Sequence, residues 1–250
     1  MALQLSRAIG DGIRRVPTRT GGVLFGLLLL TQLLTVASTN TLIEDALPAE
    51  AAPQVGLTLP LSGTAAAVLL GATYAFTGVY GVLVARGFAR PLSALSTFPS
   101  ELYTRHVGRA TLRTLVGGVV VGVAVAVGTL VLVVPGLFLA VSFLFFIFAV
   151  GVEDRGVVGG LRRSWALARG NRLRLGLVVL FLAGTGMVAG IVPPLFAAAG
   201  APSLGDLASV LLNSVLFVFV YGIMAAAYLQ LRDGDASPSA SSTVTVEPGD

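Results

Sequence analysis

TLVGGVVVGVAVAVGTLVLVVPGLFLAVSFLFFIFAVGV, residues 114–152, runs for almost forty positions without an Asp, Glu, Lys, Arg or His. A bilayer core about 30 Å thick is crossed by roughly 20 helical residues at about 1.5 Å each, so this stretch is too long for one crossing and suits two. Its only punctuation is Pro135 followed by Gly136, which predicts a tight hairpin turn there. The second limb, residues 136–152, is short for a full crossing, so a kinked or re-entrant form stays open.

Working outward, uncharged runs of similar kind cover residues 21–38 and 61–85 before this stretch and 175–192 and 207–231 after it. With 114–134 and 136–152 they make six candidate spans; the fifth is expected to stop at Pro193 and Pro194. Composition agrees. The chain is 55% hydrophobic and 11% charged with a mean hydropathy of +0.91, whereas soluble domains average about 25% charged residues. The expected fold is all-α: a polytopic membrane protein with about six transmembrane helices in three hairpins, accompanied by interfacial amphipathic helices. Residues 1–20 form a basic amphipathic segment, 21–232 the membrane domain, and 233–250 a disordered acidic tail.

The charges test the number of crossings. All 16 basic residues are arginine. With the N-terminus inside, they fall before span one, between spans two and three, between four and five, and after six, so every one lies on the inner side. The outer loops carry only Glu44, Asp45, Glu50 and Asp206. This one-sided placement predicts a multi-pass cell-membrane protein with cytoplasmic N- and C-termini. A signal-peptide reading of Arg14 and Arg15 before span one is disfavoured, because the apolar run is long and lacks a small-residue cleavage site. The net charge of +4 is distributed in juxtamembrane bursts, which argues against nucleic acid as the partner. The absence of cysteine excludes disulfides, thiolate chemistry and Cys-ligated metals.

Three basic segments precede the odd-numbered spans. Leu5, Ile9, Ile13 and Val16 recur at helical spacing beside Arg7, Arg14 and Arg15; Val157, Leu161, Trp165 and Ala168 do so beside Arg155, Arg162, Arg163 and Arg169. Before span three, Ser100 is a plausible helix N-cap, with Tyr103, Val107 and Ala110 as a weaker stripe. These segments suggest three units, each an interfacial helix followed by a hairpin.

Candidate chemistry is sparse. His106 stands alone among arginines, as a base, a pH sensor or a solvated side chain. Glu153 and Asp154 sit at the inner mouth of span four, where they either gate a cavity or neutralise nearby arginines. No catalytic constellation, metal-ligand spacing or cofactor motif is present in the sequence, so no catalytic, cofactor or metal residue is assigned. Gly118 and Gly122, continued by Ala126, and Gly186 with Gly190 form small-residue ridges that permit close helix packing, within the bundle or between copies. Thr73, Thr77, Tyr80, Asn213 and Tyr221 either line a polar cavity between spans two and six or serve as interhelical hydrogen-bond partners.

Residues 135–182 carry a further signal: Pro135 and Gly136 before span four, Glu153 at its inner end, then Arg163, Ser164 and Trp165, and Gly170, Asn171 and Arg172 before span five. In these features the chain resembles a loose superfamily of six-span proteins that includes the membrane domain attached to some glycerophosphoryl diester phosphodiesterases. Its arginine-only basic set and acidic tail are similar to haloarchaeal members. The resemblance covers about fifty residues and implies a membrane module. It implies no active site, because catalysis in the fusions belongs to a separate soluble barrel.

The expected function is therefore a non-enzymatic module that associates with membrane lipids, with other membrane proteins or with itself, without a cofactor. Its candidate lipid- or partner-facing residues are Arg155, Arg162, Arg163, Trp165, Arg169, Asn171 and Arg172. The alternative is a permease or lipid-translocating protein. Coupled ion transport is disfavoured because no ionisable residue lies within the spans.

Overall fold

The computed structural model describes residues 3–48 and 55–236. Among these the chain is all-helical: α1 (Leu5–Arg15), α2 (Arg19–Ala46), α3 (Gly63–Phe88), a 3-10 turn (Leu92–Ser96), α4 (Glu101–Thr104), α5 (Val107–Val131), α6 (Val133–Ser142), α7 (Phe146–Gly151), α8 (Val157–Ala168), α9 (Arg172–Ala198) and α10 (Pro202–Ala236). Among the described residues, five stretches are long and apolar enough to cross a membrane: α2, α3, α5, the broken rod α6–α7, and α10. The remaining expected span, residues 175–192, lies in the 27-residue α9.

Neighbours in sequence are neighbours in space. Helix α2 packs along α3, α5 against α6, and α9 along α10. Contacts of α10 with α2, α3 with α5, and α6 with α9 close these pairs into a ring, with α7 between α3 and α8. Gly117 of α5 and Gly160 of α8 admit the Phe146 ring of α7, since a Cβ at Gly117 would lie 1.9 Å from that ring. Helix α1 crosses α10 at Gly12 and Gly222; a Cβ on Gly12 would come within 2.5 Å of the Ile223 backbone.

Several expectations are corrected. The reversal after α5 occurs at the extended Leu132, and Pro135 and Gly136 occupy the first turn of α6. Proline is tolerated there because an amide in the first turn has no intrahelical acceptor to lose. Gly136 then lets the two limbs close, as its Cβ would strike Thr129 of α5. Helix α9 does not stop at Pro193 and Pro194 but continues to Ala198. Gly205 of α10 packs against the Pro193 backbone, and such support from a neighbouring helix helps a helix to continue through proline.

The middle basic segment is not one interfacial helix. Ser100 has helical dihedrals and makes no side-chain cap, α4 is only four residues long, and His106 takes a left-handed backbone (φ 47°) that separates it from α5. Val107 and Ala110 therefore belong to α5, and the threefold unit is incomplete in its second copy. Residues 233–236, expected in the tail, are helical, since α10 extends to Ala236; the rest of the expected tail, residues 237–250, lies outside the described residues, as does Glu50.

Candidate functional site: the arginine collar

Hydrogen bonds between distant segments bring the arginine-bearing ends of the helices together. Arg15 of α1 donates to the carbonyls of Phe88 and Arg90 (2.7 Å for the latter), closing the C-terminus of α3, where a cation meets the orphan carbonyls and the negative end of the helix dipole. Arg90 donates to the Thr20 hydroxyl and the Thr97 carbonyl, both at 2.8 Å. Leu3 donates its amide to the Asn171 side chain at 2.8 Å, and Arg174 donates to the Leu3 carbonyl at 2.6 Å. Leu3 is thus fastened to the start of α9. Burial lowers the pKa of Arg90, and it lowers that of Arg15 against a partial opposing effect of Asp11.

Glu153 and Asp154 form the hub of the collar. Glu153 Oε1 accepts from the Tyr228 hydroxyl at 2.8 Å and from Arg163 Nε at 3.1 Å, while Oε2 accepts from Arg155 at 2.6 Å. Arg163 also donates to Asp235 at 2.8 Å. One carboxylate therefore ties the end of α7 to α8 and α10. Burial alone would raise the Glu153 pKa. Hydrogen bonds from Tyr228, Arg155 and Arg163, with the charge of Arg163, outweigh it and hold the carboxyl below its ordinary value. The same pairing, extended to Asp235, overcomes the burial of Arg163 and raises its pKa.

Asp154 adopts a left-handed backbone (φ 53°), a conformation Asp tolerates better than most residues. Its carboxylate pairs with Arg86 (3.4 Å) and Arg105, and its carbonyl accepts from Arg113 of α5 at 2.9 Å. Arg86, whose side chain is only 9% exposed, also donates to the carbonyls of Gly151 (2.8 Å) and Arg105 (2.6 Å).

Ser164 and Tyr228 escaped the reading of the sequence as site residues. Helix α6 ends at Ser142 and α7 begins at Phe146, so the break leaves backbone groups without helical partners. The buried Ser164 hydroxyl donates to the Ser142 carbonyl at 2.9 Å and accepts from the Phe145 amide at 3.1 Å. The Arg-Ser-Trp sequence contained the signal: its middle residue repairs a kinked helix across the gap to α8.

These bonds set the rotation of α8. It buries Gly160, Ser164, Leu167 and Ala168, about one residue around the helix from the expected stripe of Val157, Leu161, Trp165 and Ala168. The opposite face exposes Val158, Arg162, Trp165 and Arg169, at spacings of four, three and four. Trp165 packs edge-on against Phe138 and beside Phe143. The Arg172 guanidinium lies 4.5 Å from the Phe138 ring centre and 4.6 Å from that of Trp165.

The seven candidate residues thus divide. Arg155 and Arg163 hold Glu153, Asn171 holds Leu3, and Arg172 braces Trp165. The side chains of Arg162 and Arg169 are exposed and make no hydrogen bond or ion pair among the described residues, as is also true of the side chains of Arg7, Arg14, Arg19 and Arg109. His106 is exposed in a shallow surface pocket with Arg109, Arg113 and Asp154.

Over residues 3–231 the chain matches the model of a protein family described as a domain of unknown function, DUF7847. The chain belongs to this family. No curated protein and no solved structure matches it. The DUF7847 match runs from Leu3, the residue clasped by Asn171, to Leu231 near the end of α10, so it includes both the collar and the membrane-length helices.

Proposed function

We propose that this protein is a six-span cell-membrane module, with both termini in the cytoplasm, that engages the headgroups of an anionic leaflet through its arginine collar. The observation that carries this reading is the outward stripe of α8, in which Arg162 and Arg169 flank Trp165 and their side chains have no partner among the described residues. Tryptophan favours headgroup depth, and each arginine near an anionic surface contributes about 1 kcal/mol. The resemblance to the six-span superfamily fits this role, since the shared residues Glu153, Arg163 and Ser164 are those that orient the stripe.

Trp165 is the only tryptophan, so its fluorescence tests the reading directly. In bilayers of phosphatidylcholine and brominated phosphatidylglycerol, quenching of Trp165 should exceed that expected from the bulk lipid ratio. Replacing Arg162 and Arg169 together with glutamine should reduce this preference about thirtyfold. High salt should reduce it as well. A preference that survives both changes would leave the collar without this function.

A further inference from the structure

A cavity of about 270 Å³ lies between α2, α3 and α10. Counted along the helices at about 1.5 Å per residue, Thr31 is roughly 18 Å beyond Arg19 and Tyr221 roughly 16 Å from Arg232, so the cavity sits deep in the membrane-length part of the bundle. Of the five residues that the sequence offered as lining, Thr77, Tyr80, Asn213 and Tyr221 border it and Thr73 does not; the Thr73 hydroxyl donates to the Leu70 carbonyl of its own helix at 2.8 Å. Helix α2 adds Thr31, Gln32 and Thr35, and α3 adds Tyr74.

The lining chemistry selects the ligand. No Asp, Glu, Lys, Arg or His borders the cavity, so a charged group would lose its hydration without gaining a counter-charge. Thr31, Thr35 and Thr77 donate their hydroxyl protons to carbonyls of their own helices, at 2.7, 2.8 and 3.0 Å. They therefore offer lone pairs to a ligand. Tyr80 is 2% exposed, and its hydroxyl and the Asn213 carbonyl oxygen have no hydrogen-bond partner among the described residues. A wall that supplies both donors and acceptors suits a hydroxyl, which both donates and accepts.

Access selects the ligand's source. Tyr74, 60% exposed, and the exposed Thr77 mark the mouth, and Leu28, Val36 and Phe217 supply apolar rim. The volume falls just below the roughly 300 to 1,000 Å³ of pockets that enclose a whole drug-sized molecule. We propose that this cavity binds the uncharged, hydroxyl-bearing polar group of a diacylglycerol-class amphiphile, whose acyl chains leave through the mouth at Tyr74 and Thr77 and remain in the bilayer beside α3. The site is independent of the arginine collar.

The test uses the full chain in nanodiscs with a photoactivatable diacylglycerol, followed by peptide mapping. Labelling should fall on α2, α3 or α10 near the cavity, compete with unlabelled diacylglycerol, and be absent with a phosphatidic acid probe of the same chains. Tyr80→Phe and Gln32→Leu should each lower labelling by about fivefold, as loss of one hydrogen bond implies. Gln32 is only half-buried, so that variant remains informative if a Tyr80 variant folds poorly. Equal labelling by the charged probe, labelling unchanged in both variants, or competition by free glycerol without labelling by the lipid would each overturn the proposal.

Discussion

The collar half of the bundle and the half farthest from it are made by the same helices but are held in different ways. In α3, the stretch from Gly78 to Phe88 is buried or half-buried all round, and in α10 every residue from Gly222 to Tyr228 is buried. Phe145, Phe148, Leu167 and Leu175 fill the space between them. Toward the far end α3 exposes Val68 and Tyr74, and the tip of the α5–α6 pair exposes every residue from Leu130 to Val134. Exposed apolar surface of this kind faces hydrocarbon in a membrane, so it lacks the driving force that burial supplies in water. The collar half therefore carries the denser set of directional bonds. At the far end Asp206 accepts from the Asn40 side chain at 2.7 Å and from the Leu57 amide at 2.8 Å, and the cavity lies between the two ends.

Removing the hub should break this contrast most strongly. Glu153→Leu would leave Arg163 and the Tyr228 hydroxyl without their shared acceptor in a site where the Glu153 side chain is 17% exposed. A destabilisation of about 2 to 3 kcal/mol is expected, discounted from the roughly 3 to 5 of a fully buried pair. Thermal unfolding in detergent, followed by helical circular dichroism, checks it. Gly12→Ala should come next, at about 1 to 3 kcal/mol, because its Cβ meets α10 backbone that cannot move aside like a flexible side chain. Hydrogen exchange should rise selectively in α1.

Acid should reproduce part of the first effect. The Glu153 carboxyl is held below its ordinary value, so its contribution is complete above the unfolded carboxyl pKa and is lost as pH falls through the lower folded pKa. The acid sensitivity of unfolding should be correspondingly weaker in Glu153→Leu. The smallest effect sharpens the contrast from the other side. A Cβ at Gly122 of α5 meets nothing within 4 Å, so Gly122→Ala should leave the bundle intact and raise its stability by no more than about 1 kcal/mol through helix propensity. A marked loss on unfolding would mean that this ridge packs against something.

Legibility followed the same division. Long uncharged runs, the expected limits Gly21 and Ala85 close to the start of α2 and the end of α3, and the cavity residues Thr77, Tyr80, Asn213 and Tyr221, though not Thr73, could be read because hydropathy and helical spacing are local properties. The contribution of Thr31, Gln32 and Thr35 was missed, since threonine in an apolar helix often only bonds back to its own backbone. The turn at Leu132, the continuation of α9 through two prolines and the rotation of α8 were misplaced for one reason. Each depends on contact with another helix, which hydropathy and local spacing do not encode: Thr129 against Gly136, Gly205 against Pro193, and Ser164 across the α6–α7 break.

By itself, then, the sequence determined an arginine-only charge set, long apolar helices and the absence of charge within them, because composition and period are written residue by residue. Tertiary structure alone decided which arginines are engaged and which are free. Arg163 and Arg162 are adjacent and chemically identical, yet one is held by Glu153 and Asp235 while the other faces outward. The difference is about 100° of helix rotation, fixed by the hydrogen bonds of Ser164 and Glu153 to segments that sequence distance conceals.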